Sequence, residues 1–309
     1  MPAFDDLPEL RAWRDGGDWI VAGAHRIFVR RGGSGPPLLL IHGFPTSSLD
    51  WAPIWPALCA HFDVAAFDLL GFGLSSKPRG HRYTLDEQAD LAIAVARHCG
   101  WRELFVLAHN YGDTVAQELL ARQLGGAADA APRIARPCFL NGGLFPETHR
   151  ARPIQRLLAS PLGPWLVRTM RRSSFGRSLN AIFAPAHPLS EAQIDAYWAL
   201  LRHEDGIGAI PSLLAYMAER RARRARWVGA LQAGGTSDGA GNVPLRLICG
   251  ALDPVSGVHL AQRYRALVPD ADVVLLEDVG HYPQLEAPER TAAAAIAFFG
   301  AHKANPDNR

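Results

Sequence analysis

The stretch FVLAHNYGDTVAQELLAR, residues 105–122, joins an apolar run to a helix pattern through a cramped polar turn. Within the turn, the small residues Ala108 and Gly112 flank a central Asn110 at alternate positions. A strand, a tight turn of this kind and a helix form a nucleophile elbow, which exposes a reactive side chain at the end of a sheet. Asparagine is a poor nucleophile because its amide is neutral. The stretch therefore predicts a nucleophile's position that is occupied by an amide.

Short apolar runs alternate with helix patterns on both sides of the elbow, which predicts an α/β fold with a mostly parallel sheet flanked by helices. Strands are expected at residues 18–31 (as a hairpin), 37–43, 63–71, 104–109, 137–143, 244–250 and 272–278. Between 147 and 231 we find helix patterns only. We therefore expect a core made of residues 1–146 and 241–309, with a helical cap at 147–240 that roofs the active site.

The composition is that of an ordinary globular protein. Lys and Arg number 32 against 30 Asp and Glu, which gives no general reason to expect a nucleic-acid partner. The acidic N-terminus lacks the apolar core of a signal peptide, and no apolar run approaches the length of a membrane span. We therefore expect a cytoplasmic protein without stable membrane insertion, for which a homo-oligomer is left open. The basic run at 219–227 is expected to be a solvated helix face, with a docking patch as the alternative.

Two further residues stand at strand ends in the chain order of a catalytic acid and histidine. Asp253, in LICGALDPVSG, directly follows the strand predicted at 244–250, and His281, in LLEDVGHYPQLE, follows the last predicted strand. A carboxylate so placed fixes the tautomer of an imidazole, which can then take a proton from water or from a nucleophile. We predict that Asn110, Asp253 and His281 form one catalytic set.

The loop after the first parallel strand is predicted to supply an oxyanion hole. In LLLIHGFPTSSLDW the backbone N–H of Phe44 can point into the site, and the N–H of Tyr111 would be the second donor. His42 is expected to hold this loop in place rather than to transfer protons. Two glycine motifs are rejected. DLLGFG at 68–73 lacks the third glycine of a dinucleotide-binding loop. GTSDG at 235–239 matches the GxSxG pattern of a nucleophile elbow, but no strand is predicted before it and no helix after it.

Several motifs together resemble the α/β-hydrolase fold, and within it the branch of epoxide hydrolases and haloalkane dehalogenases. They are HGFP, DLLGFGLSSKP, AHNYGD, ALDP and GHYPQLE. A narrower likeness, to the mesoderm-specific transcript group of hydrolases, covers HGFPTSSLDW, FGLSSKP, GDTVAQELL, NGGLFPETHR and RRARWVGAL. The resemblance implies a carboxylate at position 110 that attacks an sp³ carbon and forms an alkyl ester. Water activated by His281, which Asp253 orients, then hydrolyses the ester. No metal and no organic cofactor is implied.

Asn110 departs from the aspartate that this branch normally carries, and three explanations are open. We favour an engineered Asp→Asn exchange that traps a substrate, because the amide is nearly isosteric with the carboxylate and its expected partners are present. The alternatives are a natural ligand-binding pseudo-hydrolase, and a natural precursor that water activated by His281 converts to aspartate. In all three, the chain is expected to be impaired as an enzyme while residue 110 remains an amide.

The resemblance also bears on the leaving group. Haloalkane dehalogenases hold the halide with side-chain N–H groups at the positions of Tyr111 and Phe44, and neither residue carries one here. The sequence is therefore more similar to epoxide hydrolases, acting on a small apolar organic substrate. Haloalkanes and strained esters or lactones are the alternatives. Among cap residues, Tyr216 is the preferred donor to the epoxide oxygen and Tyr197 a second candidate. Trp165 and Trp198 are expected to be apolar walls.

Overall fold

The computed structural model describes residues 4–126, 131–235, 243–268 and 270–301. Within these residues eight strands form one sheet. They are β1 (Asp18–Ala22), β2 (His25–Gly32), β3 (Pro37–Ile41), β4 (Asp63–Phe67), β5 (Glu103–Asn110), β6 (Arg133–Gly142), β7 (Arg246–Gly250) and β8 (Asp272–Leu276).

Helices flank this sheet and occupy the stretch between β6 and β7. Those outside that stretch are α1 (Pro8–Asp15), α2 (Trp55–Cys59), α3 (Leu85–His98), α4 (Tyr111–Leu124), α12 (Val258–Leu267), α13 (Pro283–Glu286) and α14 (Pro288–Gly300). Those inside it are α5 (Pro153–Leu158), α6 (Gly163–Leu166), α7 (Arg172–Asn180), α8 (Glu191–Arg202), α9 (Gly206–Leu213), α10 (Tyr216–Ala222) and α11 (Arg224–Gly234). We call this second set the helical segment.

The sheet has the order β1-β2-β4-β3-β5-β6-β7-β8 and is parallel from β4 to β8, while the β1–β2 hairpin joins β4 in antiparallel fashion. The central strands are almost wholly buried and apolar, because helices on both faces of a parallel sheet keep water from every position. In the β3–β5 pair, Ile41 lies opposite Ala108. The end of β3 and the elbow after β5 are therefore neighbours at the carboxyl edge of the sheet.

The helical segment is attached to the core through the helix that follows the elbow. Glu118 of α4 accepts hydrogen bonds from Arg226 Nε at 2.8 Å and from Trp227 Nε1 at 2.7 Å, both on α11. The carboxylate is only 2% exposed, so these partners replace the water that it would otherwise bind. The position of the helical segment is thus tied to α4.

The fold class expected from the sequence is the one observed, including the opening hairpin and the parallel strands on either side of the helical segment. Among the helices outside the helical segment, three were not predicted: α1, α12 and α13. The rejected GTSDG motif lies, from residue 236 onward, outside the described residues. Among the helices that the structure describes, none is long and apolar enough to cross a membrane.

Candidate active site

Asn110 lies at the junction of a strand and a helix in a strained backbone conformation. β5 ends at Asn110, α4 begins at Tyr111, and Asn110 has φ 54° and ψ −101°. A positive φ is uncommon for a residue with a side chain and persists only where the surroundings fix it. Gly112 permits the close packing that does so, since a Cβ there would lie 2.2 Å from the carbonyl oxygen of Ile41. The elbow predicted from the sequence is formed.

His281 connects Asn110 to Asp253 through two hydrogen bonds. Asn110 Nδ2 lies 2.7 Å from His281 Nε2, and His281 Nδ1 lies 2.7 Å from Asp253 Oδ2. An amide nitrogen only donates, so Nε2 accepts, and the ring proton on Nδ1 is donated to the carboxylate. The three side chains are buried, with exposed fractions of 5%, 1% and 3%. The structure thus brings the three predicted residues together in one continuous series of hydrogen bonds.

The Asp253 carboxylate is kept ionised by its surroundings. Burial alone would raise its pKa, but the charge and hydrogen bond of His281, with further donors, lower the pKa to about 2. The Val255 N–H donates to Oδ1 at 2.7 Å, and the Ser256 hydroxyl donates to Oδ2 at 2.6 Å. Asn141 of β6 donates to Oδ2 at 3.0 Å. A fixed anion in this place orients the imidazole and stabilises its protonated form.

A backbone amide contacts the side chain at the elbow. The Phe44 N–H donates to Asn110 Oδ1 at 3.3 Å. Tyr111 is the first residue of α4, and the N–H groups of a first helical turn have no partner within the helix. The positive end of the helix dipole lies at the same place. His42 holds the Phe44 loop, because backbone groups bond both of its ring nitrogens at 2.9 and 3.0 Å.

A cavity of about 540 Å³ lies over Asn110 and His281. Phe44, Pro45 and Val255 of the core complete its floor. Its wall comes from the helical segment and is mainly apolar; six of the apolar side chains are Leu157, Leu166, Met170, Phe175, Leu179 and Leu214. A volume of this size is typical of sites that enclose a small organic molecule. The arrangement can therefore hold an apolar compound against the elbow.

Comparison with known proteins identifies the family to which this geometry belongs. Residues 36–288 match the family model described as alpha/beta hydrolase fold. The chain belongs to the α/β-hydrolase fold family. The fold and the family predicted from the sequence are confirmed.

Relatives of this hydrolase cover nearly its whole length. The putative hydrolase LipZ of Mycobacterium tuberculosis is 43% identical over 294 residues, which are 94% of this chain and 98% of that protein. The human mesoderm-specific transcript homolog protein is 40% identical over 303 residues, covering 94% of this chain and 88% of the relative. The solved structure of the epoxide hydrolase CorEH without ligand has a TM-score of 0.71 and 21% identity, and covers 92% of this chain and 98% of that chain. At that identity the likeness is one of fold alone.

Tyr216, the preferred substrate donor, is not among the described residues that line the cavity of the hydrolase. Its ring packs behind the floor, with its centroid 6.2 Å from that of Phe44 and 5.1 Å from that of Tyr111. The side chain is 1% exposed, and its hydroxyl has no hydrogen-bond partner among the residues described. The side chain reaches the loop and helix that carry the site, but the structure does not bring its hydroxyl to the cavity.

Tyr197 and Trp198 of α8 are also absent from the described lining of the cavity, and so is Trp165 of α6, whose side chain is 80% exposed. The hydroxyl of Tyr197 bonds the buried carboxyl of Asp50, and burial raises the pKa of that carboxyl to about 8. Trp198 packs on Phe175 with the ring centroids 5.6 Å apart. These two residues support the cavity from behind its wall. The sequence did not show what these two side chains pack against.

Arg220 of α10 contacts the elbow and was missed by the sequence analysis. It belongs to the basic run expected to be solvated, and that prediction is wrong for Arg220, which is 2% exposed. Its Nη2 donates to the backbone carbonyl of Asn110 at 2.7 Å, and its Nε donates to the Thr114 hydroxyl at 2.6 Å. Burial lowers the pKa of the guanidinium from its ordinary value. The helical segment therefore holds the backbone of Asn110 from behind.

Two consecutive glycines at the end of β6, Gly142 and Gly143, make room for the side chains of Asp113 and Arg220. A Cβ at Gly142 would lie 1.9 Å from Asp113 Oδ2, and a Cβ at Gly143 would lie 2.0 Å from Arg220 Nη1. Asp113 is buried in the first turn of α4, and burial raises its pKa well above the ordinary value although Arg220 opposes the shift. The sequence Asn141-Gly142-Gly143 was a usable signal, because paired glycines after a buried strand indicate close approach by another group.

Proposed function

We propose that this hydrolase is built to act on an apolar substrate at an electrophilic carbon, through a carboxylate at position 110, and that the electrophile is an epoxide. The observation that carries the proposal is the series of hydrogen bonds from Asn110 through His281 to Asp253, which lies beneath an apolar cavity. In this proposal residues 147–240 act as the cap, and residues 1–146 and 241–309 carry the chemistry. Haloalkanes and strained esters or lactones are the alternative substrates.

With aspartate at position 110 the reaction has two steps. A carboxylate oxygen attacks one epoxide carbon, the ring C–O bond breaks, and the alkoxide takes a proton from a hydroxyl donor. Water then attacks the carbonyl carbon of the ester while His281 Nε2 takes its proton, and the amides of Phe44 and Tyr111 stabilise the oxyanion. Collapse of this intermediate expels the diol and restores the carboxylate. The proton left on His281, which Asp253 has stabilised, returns to the hydroxyl donor.

The hydroxyl donor is proposed to come from the wall of the cavity. The described lining contains no tyrosine, and its hydroxyl groups belong to Thr169, Ser174 and Ser178. Thr169 donates its hydroxyl proton to the carbonyl of Leu166 and Ser174 donates its own to the carbonyl of Arg171, so Ser178 is the proposed donor. A halide site has less support, because the lining that the structure describes contains no tryptophan and no asparagine besides Asn110.

The amide at position 110 prevents the first step. It carries no negative charge, and its nitrogen donates to the ring nitrogen that would serve as the base. We therefore propose that the chain with Asn110 binds its substrate without converting it. Engineered exchange, natural loss of catalysis and natural conversion to aspartate remain separate hypotheses for its origin. The alternative from another functional class is a pseudo-hydrolase that binds an apolar ligand and has no activity to restore.

Assays of the chain beside Asn110→Asp on apolar epoxides, haloalkanes and activated esters test the proposal. We expect Asn110→Asp to convert epoxides at least about 10³-fold faster, because a charged nucleophile is restored. The matched control is His281→Gln in the Asn110→Asp background, which should form the alkyl ester without hydrolysing it. If neither form converts any substrate while both bind an apolar ligand, the enzyme hypothesis fails.

The origin of Asn110 has its own test. Intact-mass measurement during ageing would show a gain of about one mass unit if water converts the amide to the acid. A peptide map must place that gain at Asn110, and His281→Gln must abolish it. An unchanged mass over an ageing period that exceeds the assay time contradicts the precursor hypothesis.

A further inference from the structure

The cavity opens beside a cluster of exposed apolar side chains. Ile154 and Leu157 of α5 line the cavity and are also 40% and 45% exposed. Leu162 follows in the turn before α6 with 62% exposure, and Trp165 of α6 is 80% exposed. We call these four side chains the apolar rim. Neighbouring exposed groups of this size mark interaction surfaces, because contact with water is unfavourable for each of them.

Positive charge is concentrated in the same part of the chain. Residues 148–190 contain seven arginines and no Asp, Glu or Lys, although the whole chain has 32 basic and 30 acidic residues. Arg172 is paired with Glu191 and Asp195. The other six form no ion pair with any residue that the structure describes: Arg150, Arg152, Arg156, Arg168, Arg171 and Arg177. Their charge is available to an external anion.

We propose that the apolar rim docks on an anionic lipid surface. An exposed tryptophan and leucines enter the boundary between headgroups and acyl chains, while surrounding arginines contact lipid phosphates. Peripheral membrane binding needs both contributions together, and residues 148–190 provide both. A second copy of this chain is a poorer occupant, because two copies meeting at their rims would bring two sets of unpaired arginines together.

Docking in this way would place the opening of the cavity next to a lipid bilayer that holds the substrate. Since Ile154 and Leu157 belong both to the rim and to the lining, an apolar molecule can pass from the lipid to the cavity without crossing water. This step rests on the proposed function. It narrows the substrate class to lipophilic molecules that partition into bilayers.

Vesicle co-sedimentation of the full chain tests the docking. We expect binding to vesicles of phosphatidylcholine mixed with phosphatidylglycerol, much weaker binding to phosphatidylcholine alone, and a decrease with salt. The double variant Arg156→Gln/Arg168→Gln should bind about 30-fold more weakly, since each arginine near the surface contributes about one kcal/mol. Trp165→Ala should weaken binding about tenfold through lost apolar burial.

Matched controls lie elsewhere on the surface. Val21→Ala removes an apolar side chain that is 77% exposed on β1, and Arg11→Gln/Arg102→Gln removes two exposed arginines. Both controls should bind the mixed vesicles as well as the parent chain. Equal loss in the control and rim variants, or no preference for the mixed vesicles, overturns the proposal.

Two further readouts separate the hypotheses. If Trp165→Ala abolishes self-association in sedimentation while vesicle binding is unchanged, the rim is a protein interface and the proposal is overturned. In the Asn110→Asp background, the rim variants should keep their turnover of a water-soluble substrate. If the Asn110→Asp variant binds the mixed vesicles but has no activity, the docking proposal is supported and only the proposed function is overturned.

Discussion

The floor of the cavity is held by hydrogen bonds, whereas its wall is held mainly by apolar contacts. On the floor, Asn110 and His281 each have a defined hydrogen-bond partner, and Asp253 lies behind His281; strand ends and one helix start fix the geometry of all three. The wall is mostly aliphatic and belongs to short helices connected by turns. Directional bonds specify a reaction, whereas apolar contacts specify size and shape. Substitutions in the floor should therefore remove chemistry, and substitutions in the wall should change selectivity.

The largest effect is expected on the floor, from Asp253→Asn in the Asn110→Asp background. An amide cannot stabilise the imidazolium of His281 and favours the wrong tautomer, so kcat should fall about 10³–10⁴-fold. Alkylation of Asp at position 110 does not need the base, so the alkyl ester should accumulate. Single-turnover mass spectrometry measures it directly.

The control for this prediction is Ser256→Ala in the same background, which removes one donor to Asp253 but keeps its charge. It should reduce kcat about tenfold at most. Equal loss in Ser256→Ala and Asp253→Asn would show that the hydrogen-bond network, rather than the charge, carries the effect.

Arg220 connects the helical segment to the floor, because it lies on α10 and donates a hydrogen bond to the backbone carbonyl of Asn110. Arg220→Met keeps most of the volume but leaves the Asn110 carbonyl and the Thr114 hydroxyl without this donor. We expect the free energy of unfolding to fall by about 3 kcal/mol, measured by urea denaturation. Arg224→Met, which removes a half-exposed partner of Glu147, should lower it by less than about 1 kcal/mol. Equal effects would mean that burial of Arg220 has no energetic consequence.

The contrast between floor and wall also explains what the sequence could predict. The elbow, Asp253 and His281 were found because each stands at a strand end, and parallel strands bring their carboxyl ends to one edge. Tyr216 and Arg220 both sit on the short helix α10 of the helical segment, where the sequence does not show what each side chain packs against. The tyrosine was assigned to the substrate and the arginine to solvent, whereas both pack against the elbow.

Glu118 provides a test with an effect of intermediate size, because it joins the helical segment to the core. Burial raises the pKa of its carboxyl, but hydrogen bonds from Arg226, Trp227 and Arg122 outweigh burial and lower the pKa to about 2. Its contribution to stability is therefore fully present above the unfolded pKa near 4.5 and is lost as pH falls toward 2. We expect Glu118→Gln to lower the free energy of unfolding by about 2 kcal/mol at neutral pH.

Urea denaturation of the parent chain and Glu118→Gln across this pH range measures the effect. The difference between the two should shrink as the pH is lowered, because the protonated parent resembles the amide. Glu103→Gln is the control, since that carboxylate pairs with the half-exposed Arg133 away from the helical segment. A difference between parent and Glu118→Gln that stays constant with pH would contradict a role for the charge.

The smallest effect is expected in the wall itself. Met170 lines the cavity, and Met170→Ala enlarges it without touching the chain of hydrogen bonds. In the Asn110→Asp background this should raise kcat/KM for long apolar substrates relative to short ones by about fivefold, while kcat for the short ones stays nearly constant. Met217→Ala is the matched control, because Met217 is buried on α10 but is absent from the described lining. A similar change of selectivity in both variants would mean that selectivity depends on the packing of the whole helical segment, and not on the residues that face the cavity.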